Sequence, residues 1–181
     1  MSYLRLVNDK NTIHVSFMMG KARVAPLKKM TIPRMELAAA VLATRVDKVL
    51  RTELQMQLES SVFWTDNQTV LSYIANQHTT FYTFVVNRIS IIKETTEITQ
   101  WRYVNTRVNP ADVASRGQTA GSFMVNRTWI HGPDILWGSE KDWSKFPLEF
   151  TPLSVDDIEV KRSHTVSTVI VNVMLHVFCQ V

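Results

Sequence analysis

Three acidic residues stand out as candidates for chemistry: Glu36, Asp66 and Asp112. Each lies where a strand ends or a helix begins. Asp66 closes the apolar run SVFWT (61–65) and opens the helical run QTVLSYIAN. Glu36 follows Pro33 into the long helical pattern RMELAAAVLATRVDKVLRTEL. Asp112 follows the strand-like TQWRYVN, with Asn109 as helix cap and Pro110 at the first helical position. Taken singly, each acid has a structural explanation, because helix starts favour negative charge. Taken together, they suggest a site. If the strands ending at Asp66 and Asn105 are neighbours, all three carboxylates converge at one sheet edge, where open α/β sheets place their ligands. Clustered carboxylates repel unless a cation lies between them. Mg²⁺ prefers carboxylate oxygens, waters and substrate phosphate. Two such ions would clamp the attacking and leaving oxygens of a phosphodiester hydrolysis.

The elements that must position these residues follow from periodicity. YLRLV (3–7) and TIHVSFMM (12–19) read as a hairpin around Asn8–Asn11. In the long helix, Met35, Ala38, Leu42, Val46, Val49 and Leu50 mark the expected buried face, and Glu36 falls in the first turn. A second amphipathic helix over 80–95 turns Phe84, Val85, Ile89 and Ile92 inward, leaving Arg88 and Lys93 outside. Alternating strands and helices predict a mixed α/β sheet covered by helices. The basic connection 20–32 carries Lys21, Arg23, Lys28 and Lys29. It reads either as a solvated loop or as a set of phosphate contacts. Beyond Gly117 the texture becomes irregular, and Trp129, Trp137 and Trp143 are expected to pack on the preceding domain. Residues 151–164 read as a polar linker, and the apolar tail from Thr165 is left without a role.

Composition bounds the rest. The chain has 181 residues, 45 % of them hydrophobic, room for one full domain and an appendage. A net charge of +4 leans toward polyanions. A single cysteine, Cys179, allows no intrachain disulfide and suggests a reducing, intracellular compartment, cytoplasmic or nuclear. No signal peptide is visible. The stretch Thr165–Val181, interrupted by Asn172, His176 and Gln180, is too short and too polar to span a bilayer.

The segments KARVAPLKKMTIPRMELAAAVLATRV, VFWTDNQTVLSYI, FYTFVVNRISIIKETT and TQWRYVNTRVNPADVASRG, in this order, resemble the ribonuclease H domain of BEL/Pao-type retrotransposon Pol polyproteins. The Trp-rich stretch with WIHGPDILW resembles the start of their connector to integrase. The resemblance implies three parts. Residues 1–117 would be a ribonuclease H-like mixed sheet flanked by helices, 118–150 a Trp-rich connector, and 151–181 a linker and tail. It implies hydrolysis of the RNA strand of RNA–DNA hybrids with two Mg²⁺ or Mn²⁺ ions, and metal-ligand roles for Glu36, Asp66 and Asp112. Reverse transcriptase and integrase regions would be partners within a polyprotein.

One departure weighs against full activity. The family's first metal aspartate lies on a strand ahead of the hairpin containing YLRLV, and this chain is expected to lack that strand. Asp9, in the hairpin turn, is at the wrong end to replace it. Tyr103 and Asn105 also stand where relatives are expected to carry histidine and proline. The expectation is therefore an incomplete domain with impaired catalysis, or alternatively an inactive nucleic-acid-binding remnant or host-adopted module. An integrase-type recombinase fits less well, because its acid set ends in a helix glutamate and a His/Cys zinc module usually precedes it.

Overall fold

Two short β-pairs and three helices build the framework on which the acids are mounted. The computed structural model describes residues 1–24, 26–27, 29–112, 117, 119–125, 128–143, 153 and 156–161. Lys28, Cys179 and the apolar tail lie outside the described residues.

Strand β1 (Ser2–Val7) pairs antiparallel with β2 (Ile13–Met19), Arg5 opposite Val15. The turn between them forms because the Asn8 side chain accepts hydrogen bonds from the Lys10 and Thr12 amides, at 3.0 and 2.8 Å. Helix α1 (Ile32–Leu54) follows, then β3 (Phe63–Thr65), α2 (Gln68–Ala75), α3 (Thr83–Thr95) and β4 (Trp101–Tyr103). Strands β3 and β4 run parallel, with Thr65 opposite Tyr103. The chain has a mixed α/β architecture. Its strands form two separate two-stranded sheets among the described residues, β1–β2 and β3–β4, instead of one continuous sheet.

The core is built from Leu37 and Val41 of α1, Phe63 of β3, Val70, Leu71, Tyr73 and Ile74 of α2, Val85, Ile89 and Ile92 of α3, and Trp101 of β4. The inward face expected for α3 is the observed one, with Phe84 half-buried against the cluster. The face expected for α1 is met only in part, at Val46. Leu37, Ala40, Val41, Thr44 and Val46 are buried, whereas Val49 is exposed. LAAAVLA is apolar almost all the way round, so periodicity alone admits more than one stripe, and packing against α3 selects the observed one.

Downstream, residues 128–143 pack onto the hairpin, as the tryptophans suggested. Arg5 anchors this segment, donating to the Leu136 and Gly138 carbonyls at 2.9 and 3.0 Å and pairing with Glu140 at 2.7 Å. Trp143 meets Trp64 of β3 edge-on at 5.6 Å and lies beneath the Arg5 guanidinium. This segment therefore touches both sheets. Tyr3, donating to the Trp129 carbonyl at 3.0 Å, has its hydroxyl pKa pushed up to about 12 by burial.

The stretch read as a polar linker behaves differently. Residues 156–161 lie against the domain as a strap. Val160 bridges to Phe81, the Lys161 amide donates to the Thr80 carbonyl at 2.8 Å, and the Tyr82 amide donates to the Glu159 carbonyl at 3.0 Å. The Tyr73 hydroxyl donates to both Asp157 carboxylate oxygens at 2.9 Å, and burial, then this bond, raise its pKa. Glu159 is fully buried. Its carboxylate accepts from Arg34 Nε at 2.8 and 2.9 Å and from the Thr31 hydroxyl at 3.1 Å. Thr31 is also the N-cap of α1, so the strap is fastened to the start of the helix that carries Glu36.

A buried pair broken on one side leaves the surviving charge without a partner, at a cost of about 3–5 kcal/mol. The two sides here are unequal, since the Arg34 side chain is 33 % exposed and that of Glu159 only 1 %. Arg34→Ala strands a buried carboxylate, whereas Glu159→Gln frees a guanidinium that can reach water. Urea unfolding is expected to show the larger loss for Arg34→Ala, about 3 kcal/mol or more, and a smaller one for Glu159→Gln.

Candidate metal site at the edge of the parallel strand pair

Parallel pairing of β3 and β4 brings both chains out at the same sheet edge. The Val104 amide donates to the Thr65 carbonyl at 3.0 Å, extending the ladder to the point where Asp66 and Asn105 leave it. The adjacency that convergence of the acids requires is therefore present.

Asp66 does not cap the helix that follows it. Asn67 is the N-cap of α2, accepting from the Val70 amide at 3.1 Å. The structural explanation available for Asp66 from sequence is thereby removed. Glu36 departs from expectation in the same direction. Thr31 caps α1 and Ile32 is its first residue, so Glu36 is the fifth residue, and no acidic side chain lies in the first turn. The favourable field of a helix N-terminus fades beyond that turn, which leaves it a weak reason for Glu36 to be there.

Glu36 is held against the start of α2. Its carboxyl pKa is raised, first by burial and then by the neighbouring Asp66 charge, while a hydrogen bond from the Asn67 side chain works in the opposite direction. Its Oε2 atom is buried without a hydrogen-bond partner. A buried, unpartnered carboxylate oxygen beside a second carboxylate is costly for a folded protein and is the donor arrangement a hard cation relieves. Mg²⁺ is commonly held by one or two carboxylates, with water and substrate phosphate completing its octahedron. Glu36 and Asp66 fit that pattern.

Asn67 is the residue that sequence reading missed. Its side chain caps α2 and steadies Glu36, and the Asn following Thr65-Asp66 at the strand end was the available signal.

Asp112 is placed as the sequence suggested locally. Asn109 caps the turn, its side chain accepting from the Ala111 amide at 3.1 Å, and residues 110–112 are helical. Three-way convergence is not seen. Among the described residues no group of three or more His, Cys, Asp and Glu side chains gathers as a metal site. Two acids meet, Glu36 and Asp66. In the basic connection, Lys21, Arg23 and Lys29 are exposed. Among the described residues no helix is long and apolar enough to cross a membrane.

Residues 1–67 match the model of a protein family described as the Pao retrotransposon-like RNaseH-like domain, a span that reaches from the hairpin through Glu36 to Asp66 and Asn67. No curated protein and no solved structure matches the chain.

The raised pKa of Glu36 has a definite sign for stability. A proton binds more tightly there in the folded state, so this contribution favours folding below the ordinary carboxylate pKa and is lost as pH rises through the raised value. Glu36→Gln keeps the shape and removes the repulsion. It is expected to raise the melting temperature at pH 7 by about 1–3 °C, with the gain vanishing near pH 4, in thermal melts recorded across pH without divalent cations.

Proposed function

We propose, on the premise that residues 1–67 belong to the Pao retrotransposon-like ribonuclease H-like family, that this chain is a retroelement-derived ribonuclease H-like domain that binds RNA–DNA hybrid through a divalent cation at Glu36 and Asp66 but cuts it poorly. The observation that carries the reading is the buried, unpartnered Glu36 oxygen beside Asp66, set at the edge of a parallel strand pair. Mg²⁺ or Mn²⁺ held there would bring a phosphate oxygen of the substrate to the strand ends. Asn67 orients the Glu36 carboxylate, and burial of Glu36 Oε2 keeps competing water from that oxygen.

Impairment follows from how few acids meet at this edge, Glu36 and Asp66 among the described residues. Neither SYLRLV of β1 nor IHVSFMM of β2 contains an acidic residue. Two-ion hydrolysis of a phosphodiester needs carboxylates that bridge both ions, and a pair of acids holds one ion more readily than two. Asp112, from the helical residues after β4, is the acid the family resemblance points to for completing the set, and we assign it the role of a third, substrate-assisted ligand. Partners of the reading are therefore hybrid nucleic acid first and, within a longer polyprotein, reverse transcriptase and integrase regions. Lys21, Arg23, Lys28 and Lys29 supply phosphate contacts.

Incubating the chain with labelled RNA–DNA hybrid in Mg²⁺ and in Mn²⁺, beside Asp66→Asn, tests both halves. The expected result is a salt-sensitive gel shift for the unaltered chain, with cleavage no faster than in the variant. Efficient cleavage that Asp66→Asn abolishes would overturn the impairment. Failure to shift hybrid at any salt concentration would overturn the nucleic-acid reading.

A further inference from the structure

The flank of α1 that faces α3 gathers positive charge with no role in the carboxylate pair. Arg34 and Arg45 are eleven residues apart, so at ~3.6 residues per turn they point in nearly the same direction, ~16 Å apart along the axis. Arg88 enters from α3, which packs along α1. Its guanidinium lies over the Phe84 ring, 3.3 Å from the centroid, and its Nη1 donates to the Phe84 carbonyl at 2.9 Å. Arg34 covers the same ring at 5.1 Å. Burial, then the charges of Arg34 and Arg45, lower the Arg88 pKa, consistent with three cations close enough to feel one another.

Like charges gathered in this way destabilise a fold unless something external uses them. Glu159 neutralises Arg34. Among the described residues Arg45 and Arg88 have no carboxylate partner. Helical phase sets Glu36 and Asp47 about 200° away from the Arg34–Arg45 row, and Glu94 is similarly turned away from Arg88. Arg88 uses one of its five donors on the Phe84 carbonyl. Stacking on Phe84 also fixes its plane, which reduces the ordering cost of engaging a ligand.

We propose that Arg45 and Arg88, with Arg34 behind them, form a second grip on the phosphate backbone of a nucleic-acid duplex, on the flank of α1 opposite Glu36. This rests on the nucleic-acid reading above. Guanidinium forks match phosphate oxygens, so Arg45 and Arg88 would each take one phosphate of the duplex backbone. The contact is to the backbone, so it serves hybrid and DNA duplex alike.

Fluorescence anisotropy with a labelled 18-base-pair RNA–DNA hybrid, and with DNA of the same sequence, tests it across a salt series. The proteins compared are the unaltered chain, Arg45→Gln/Arg88→Gln and Lys21→Gln/Arg23→Gln. Loss of two phosphate contacts is expected to make the slope of log K against log salt shallower by about 1.8, equally for both duplexes. A slope unchanged in Arg45→Gln/Arg88→Gln overturns the second grip while the nucleic-acid reading stands. No binding by the unaltered chain overturns both. Should the double variant melt below the unaltered chain, Arg45→Gln alone, at an exposed position, supplies the readout, with a slope shallower by about 0.9.

Discussion

The parallel pairing of Phe63–Thr65 with Trp101–Tyr103 involves few backbone hydrogen bonds, so its register depends on side chains. The Phe63 and Trp101 rings stack at 4.9 Å, and the Trp101 indole donates to the Thr96 hydroxyl at 3.0 Å. Gln100 reaches across to the Ser61 carbonyl at 2.8 Å. A slip by one residue would turn Trp101, now 1 % exposed, out of the core. Because that slip is so costly, both strands end level, and Asp66 and Asn105 leave from one edge. Leu37, fully buried, seats α1 against the same core and so brings Glu36, its neighbour in the chain, to the start of α2.

The position of α1 is fixed a second time, from the far end of the described chain. Thr31 and Arg34 are tied to Glu159 across a sequence separation of 125 residues or more. Residues 128–143 similarly join the hairpin to Trp64 of β3, although no hydrogen-bonded ladder connects the two sheets among the described residues. The downstream segments thus hold together what the strands alone do not.

Much of this was legible in the sequence, and the failures have physical causes. The hairpin, the three helices and the strand ending at Thr65 were readable because each has its own periodicity and turn residues. The adjacency of β3 and β4 could be stated only as a condition, since parallel neighbours are joined through distant chain. The buried face of α1 was only partly anticipated because an Ala-rich helix offers several apolar stripes. The sequence places Asp66 at a helix start where Asn67 supplies the cap, and Glu36 in a first turn that the Thr31 cap moves it out of. Each shift by one or two residues strengthens the case for a site, because it removes a structural explanation for the acid. The strap was read as a linker because Asp156, Asp157 and Glu159 look solvated until Arg34 and Tyr73 are placed opposite them.

Helix α1 thus separates two chemistries. One flank presents a partly desolvated carboxylate to Asp66, and the other presents guanidinium groups sharing an aromatic ring. The central claim is that the first of these is a cation site. Titrating Mn²⁺ into the chain and following the free-ion signal by electron paramagnetic resonance tests it most directly, beside Glu36→Gln and Asp66→Asn. The account predicts that the unaltered chain removes about one ion per molecule from solution and that each variant removes far less. Equal uptake by all three proteins, or no uptake by the unaltered chain, would contradict it.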